Sequence, residues 1–154
     1  MKKYIGCKLV EAEVMTRGAY NEFRGWTIPQ DEDPEDPGYL IRYPDGYVSW
    51  SPKQVFETYY LKVDDNKNLP SGVSVGEGMV EEFISYIEPQ TIGERTTVVR
   101  CVLRNGFEII ESSSCVDPKN YSEKMGTEIC MEKVKDEIWK LLGFLLQTAW
   151  HGIR

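Results

Sequence analysis

The stretch Thr96-Thr97-Val98-Val99-Arg100-Cys101-Val102-Leu103-Arg104-Asn105-Gly106-Phe107-Glu108-Ile109-Ile110-Glu111 decides the fold class. A β-branched run meets a second apolar run across Asn105-Gly106, a dipeptide suited to a tight two-residue turn, so strands are predicted over 96–103 and 107–111. Upstream, Phe83 to Glu88 reads as a further strand, joined through a turn at Gly93. Three antiparallel strands in a meander result. Downstream, Ser112-Ser113-Ser114-Cys115 reads as a polar turn, and Asp117-Pro118 opens a helical region. Met125, Ile129, Val134, Ile138, Leu141, Leu142 and Leu145 recur at helical spacing, which predicts one long helix over one face of the sheet, kinked or ended at Gly143.

The N-terminal half follows the same logic at smaller scale. Lys8 to Met15 alternates as a strand, Thr16 caps a short helix through Phe23, and Gly25 ends it. Tyr39 to Tyr43 and Tyr47 to Trp50 flank Pro44-Asp45-Gly46 as a hairpin. Ser51 as cap and Pro52 at the first helical position open a helix over Lys53 to Tyr59. Between the halves, residues 64–78 concentrate turn formers and few aliphatics, the composition of a linker. The expected fold class is therefore α+β, in two small modules, each an antiparallel sheet (hairpin or meander) covered by helix. An aromatic-rich module spans 1–63, a linker 64–78, and the meander with its long helix 79–154.

Composition removes several function classes. The 25 acidic and 18 basic residues give a net charge of -7, which opposes the broad basic surface that duplex phosphates require. Extended nucleic acid is not an expected partner, whereas a small anion needs only a few well-placed guanidiniums. The single histidine, His151, stands near the end of the sequence, away from any general-base or metal-ligand pattern. Cys7, Cys101, Cys115 and Cys130 are widely spaced and read as small buried thiols in a reducing compartment. No metal, no cofactor and no catalytic turnover are expected. Lys2 and Lys3 are followed by Lys8, Glu11 and Glu13 without an apolar core for a secretion signal. The apolar run from Ile138 to Leu146 is broken by Lys140 and Gly143 and falls short of the roughly 20 residues that span a bilayer.

Two sets of residues suggest binding. Ten aromatic rings fall between residues 20 and 60, more than so small a core needs. Trp26, Tyr43 and Trp50, interleaved with Arg17 and Arg24, suit a pocket that stacks a base and pairs a phosphate with a guanidinium; the plain alternative is that the tryptophans are core and the tyrosines its rim. The second set is Arg100 and Arg104 beside Asn105 and Ser113, which suits an anion or ordinary turn chemistry. The acidic loop Pro29 to Pro37 lacks the ligand spacing of a calcium loop and reads as solvated surface.

The hairpin Cys101-Val102-Leu103-Arg104-Asn105-Gly106-Phe107, the Ser-Cys-Val-Asp-Pro run ending at Pro118, Asn120, and the helix closing in Ile138-Trp139-Lys140-Leu141-Leu142-Gly143-Phe144-Leu145-Leu146 resemble the phage gene-product-forty-nine family. The order Arg24-Gly25-Trp26, Asp45-Gly46, Trp50-Ser51-Pro52 is similar to phage Thoeris anti-defence sponge proteins, which sequester cyclic ADP-ribose-type signals. These resemblances imply a phage accessory protein in the host cell cytoplasm. Its expected role is to antagonise bacterial defence by sequestering a small nucleotide-derived signal. The alternatives are an adaptor that binds a host protein through the acidic loop and exposed tyrosines, or a magnesium-dependent nucleotide enzyme using Glu57 or Glu111. Because each module's core is small, a homo-oligomer is expected.

Overall fold

The computed structural model describes every residue from Met1 to Arg154. It is a mixed α+β protein whose strands all pair antiparallel, in three small sheets accompanied by four α-helices. The chain divides into two compact units, Met1–Lys62 together with Leu146–Arg154, and Val63–Leu145.

In the first unit, β1 (Glu11–Val14), β2 (Gly38–Arg42) and β3 (Val48–Pro52) form a sheet in sequence order. Helix α1 (Arg17–Arg24) is capped by Thr16, whose hydroxyl accepts from the Ala19 N–H at 3.2 Å, and closes at Gly25 with φ 70°. That positive φ is strained for any residue with a Cβ, so the helix stops where Arg24-Gly25 places it. Helix α2 (Lys53–Tyr59) follows β3 directly. Its cap is Pro52, with no side-chain capping bond, rather than the expected Ser51. The Lys53 N–H instead donates to the Pro37 carbonyl at 3.0 Å, so the acidic loop supplies the acceptor that a serine would have given. Strand β1 begins at Glu11 rather than at Lys8, because the Leu9 N–H is used on the Ala149 carbonyl at 3.0 Å. Tyr20, Leu40 and Ile41 are the buried apolar side chains of this unit.

In the second unit, residues 64–78, expected as a linker, carry β4 (Asp64–Asp65) paired with β5 (Val73–Ser74) and the start of α3 (Glu77–Glu82). Their turn formers close a small hairpin in which the Asn66 N–H donates to the Gly72 carbonyl at 2.6 Å. The predicted meander is β6 (Ile84–Ile92), β7 (Thr96–Leu103) and β8 (Glu108–Ser114). Ser112, Ser113 and Ser114, expected in a turn, continue β8 against Val98, Thr97 and Thr96. The central strand starts early enough to offer them backbone partners, and the Thr96 and Ser114 hydroxyls meet at 2.8 Å across the ladder.

A 3-10 turn at Pro118–Asn120 leads into α4 (Glu123–His151), whose last residues belong to the first unit. The helix passes through Gly143 without ending. Its buried stripe is Gly126, Cys130, Val134, Ile138 and Leu142, whereas the expected Leu145 and, at the start of the helix, Met125 and Ile129 are exposed. The reason at the start is a close approach to β7. A Cβ on Gly126 would fall 2.0 Å from the Thr97 Oγ1, and the Cys130 thiol donates to the Thr97 carbonyl at 3.8 Å, so only small residues fit there. The buried Thr97 hydroxyl is in turn satisfied by the Tyr121 hydroxyl at 2.9 Å. Further along, Val134, Ile138 and Leu142 each contribute about 1.5–3 kcal/mol by burial.

Candidate binding site

The aromatic-rich unit is organised around Trp50. Its indole Nε1 donates to the Met15 carbonyl at 2.7 Å, and Gly38 lies so close that an added Cβ would be 2.3 Å from the ring. The Arg17 guanidinium lies 5.0 Å from the ring centroid. Arg17 is itself engaged with Glu32 of the acidic loop, its Nε donating at 3.0 Å and its Nη2 at 2.6 Å, while the buried Asn21 donates to the same carboxylate at 3.1 Å. Hydrogen bonds from Arg17 and then Asn21 hold the Glu32 carboxyl below its usual range, as a paired carboxylate requires. The loop is also tied by its backbone, with the Gly18 N–H on Pro34 and the Arg17 N–H on Asp36, both at 2.9 Å. It is an anchored structural element rather than merely solvated surface.

Beside this core, a cleft of about 500 Å³ is lined by Asp36, Pro37, Trp50, Pro52, Lys53, Gln54 and Glu57. The Tyr39 hydroxyl donates to Glu57 Oε1 at 2.9 Å, and that bond raises the tyrosine's pKa. Tyr39, Phe56 and Tyr60 stack with centroid separations of 4.2 and 4.6 Å. Burial, followed by a hydrogen bond with Tyr43, pushes the Tyr60 phenol up.

The predicted residues thus fall into separate places. Arg17 and Trp50 meet, but the guanidinium is occupied by Glu32. Arg24 and Trp26 meet in the open, with the guanidinium 4.8 Å from a ring that is 51% exposed. Tyr43 sits with Tyr47 and Lys8, the rings 5.7 Å apart and the ammonium 5.8 Å from the Tyr43 centroid. In the second unit Arg100 is clamped by Glu108 on one side and by Glu88 at 2.8 Å on the other. Hydrogen bonds with Glu108 first, then Tyr86 and Glu88, hold its pKa above the ordinary arginine value. Arg104 is exposed at the turn, where the Asn105 side-chain oxygen accepts from the Phe107 N–H at 3.0 Å. Ser113 pairs with Thr97 at the far end of the β7–β8 ladder, and strand alternation puts it on the face opposite Arg100. The second set therefore does not converge on one anion.

Residues 73–150 match the sequence model of the phage protein (N4 Gp49/phage Sf6 gene 66) family. The chain belongs to this family. The part shared with the Gp49/gene 66 family runs from β5 through most of α4 and contains the Arg100 clamp and the Asn105-Gly106 turn. The Trp50 core and its cleft lie outside it, and the matched residues do not include the segment that resembles the sponge proteins. No curated protein and no solved structure matches the chain.

Sequence reasoning missed Glu32 as the partner of Arg17, and Asp36 and Gln54 as cleft walls. The signal was present in the proline spacing of the loop, since Pro34 and Pro37 bracket the carbonyls that receive α1 and α2. No group of three or more His, Cys, Asp or Glu side chains is placed to hold a metal ion. No helix is long and apolar enough to cross a membrane.

Proposed function

We propose that this Gp49/gene 66 family protein is a phage accessory protein that acts by binding without turnover, and that its partner is a polypeptide. The observation that carries the reading is the state of the arginines. Arg17 is paired with Glu32, and Arg100 with Glu88 and Glu108, so neither offers a free guanidinium to a phosphate. Recruiting either for a small anion would require breaking a charge-assisted bond that is already made. At the same time the N-terminal unit keeps Phe23, Trp26, Tyr47 and Tyr59 exposed, the amphipathic aromatics that protein interfaces favour.

Photo-crosslinking from Tyr47 and Tyr59 in infected cells, with Ser112 as control position, tests the reading. Adducts to one defined polypeptide from the first two positions alone are expected. Their absence, together with a nucleotide released stoichiometrically on heating the purified protein, overturns it.

A second reading, sequestration of a nucleotide-derived signal, is favoured by one feature. Arg24 forms no ion pair and lies over the exposed face of Trp26, which suits a stacked base with its phosphate. If that reading holds, Arg24→Ala and Trp26→Ala abolish nucleotide binding measured by calorimetry, and Arg17→Ala and Arg100→Ala affect it only through stability.

A further inference from the structure

We propose that the cleft beside Trp50 is the seat of the polypeptide partner, and that it takes an extended segment carrying arginine or lysine among proline or other apolar residues. This rests on the polypeptide reading above and names the chemistry of the contact.

Charge decides the sign of the ligand. The ionisable walls are Asp36 and Glu57 against Lys53 alone. The loop that supplies Asp36 also presents Asp31, Asp33 and Glu35, all exposed and none in an ion pair; its one neutralised carboxylate is Glu32. A phosphate entering here meets net repulsion, whereas a guanidinium or ammonium is attracted. Glu57 is prepared for such a donor, because Tyr39 engages Oε1 and leaves Oε2 open.

The remaining walls suit an extended backbone. Pro37, Pro52 and the indole of Trp50 are apolar walls with little conformational freedom, against which the apolar side chains of an extended segment can lie. The indole is fixed by its bond to Met15 and by Gly38 beneath it, and the two sides of the cleft are joined by the Lys53 N–H on Pro37. A site already held in shape loses little ordering entropy on binding. One face of the Trp50 ring is taken by the Arg17 guanidinium.

The test uses the full chain and two labelled synthetic octapeptides, one of proline, leucine and arginine, the other with glutamate replacing each arginine. Fluorescence anisotropy at low salt is expected to show binding of the arginine peptide alone, weakened by added salt. Asp36→Asn and Glu57→Gln are each expected to weaken it roughly three- to tenfold, and Lys53→Glu to strengthen it, with melting transitions confirming the fold. Equal binding of both peptides, no binding of the arginine peptide, or no effect of the three substitutions overturns the cleft proposal. Crosslinks to a polypeptide that persist at Tyr47 and Tyr59 in that event leave the broader reading standing; loss of both takes it down as well.

Discussion

The Arg17 guanidinium and the Glu32 carboxylate, fifteen residues apart in sequence, meet through two hydrogen bonds, from Nε at 3.0 Å and from Nη2 at 2.6 Å. The pair fastens the acidic loop to the first turn of α1 and places a cation on Trp50. Arg17→Ala and Glu32→Ala are each expected to lower the melting transition of the protein by a few degrees. The double variant should lose less than the sum of the two, because both remove the ion pair, while Glu32→Ala also strands the buried Asn21 and Arg17→Ala uncovers Trp50. The pH dependence has a definite sign. A carboxyl held below its usual range stabilises the fold fully above the ordinary carboxylate pKa and loses that contribution as pH falls through its lowered value. Urea midpoints between about pH 5 and pH 2 should therefore fall less steeply in Arg17→Ala than in the parent. Equal slopes would remove Glu32 from the account.

Gly126 is expected to tolerate no side chain. A Cβ there would lie 2.0 Å from the Thr97 Oγ1 and 2.7 Å from the Thr97 Cβ, a backbone-proximal atom that cannot swing away. Gly126→Ala should cost about 1–3 kcal/mol, read from the shift in urea midpoint at unchanged slope. A neutral substitution would mean that α4 can lift from β7 without loss.

Gly143 is expected to behave in the opposite way. It sits inside α4 with nothing within 4 Å of an added Cβ. Gly143→Ala should stabilise the protein by about 0.5–1 kcal/mol, since alanine restricts the unfolded chain and suits a helix interior. Thermal unfolding of the variant checks this directly.

The cysteines should separate into two classes on alkylation. Burial pushes the Cys101 and Cys130 thiols up, and both are fully enclosed. Cys7 and Cys115 are half-exposed. Iodoacetamide at neutral pH, followed by peptide mass spectrometry, should modify Cys7 and Cys115 first and reach the other two only after denaturant is added. Rapid labelling of Cys130 in buffer would show that the α4–β7 contact opens readily.

The turns and helix ends were legible because their chemistry is local. Thr16 and Gly25 bracket α1, and Asn105-Gly106 and Asp45-Gly46 mark the hairpins, each through residues adjacent in sequence. The core stripe of α4 was misread at its start because Gly126 and Cys130 carry little hydrophobic signal; what selects them is the proximity of Thr97, a long-range fact. The same holds for the candidate site. The pattern showed that arginines and aromatics are interleaved, and Arg17 with Trp50 and Arg24 with Trp26 do meet. It could not show that Glu32 and Glu108 neutralise two of those arginines, because an ion pair depends on which strand or loop is brought alongside.

The two units differ in how the ribosome delivers them. Val63–Leu145 is an unbroken run, available to fold as soon as it emerges, whereas Met1–Lys62 waits for Leu146–Arg154. The segment synthesised first is therefore completed last. Throughout elongation the N-terminal unit lacks the residues that supply the Ala149 carbonyl to Leu9. Until Leu146–Arg154 has left the ribosome, the N-terminal unit stays open to chaperones or proteases.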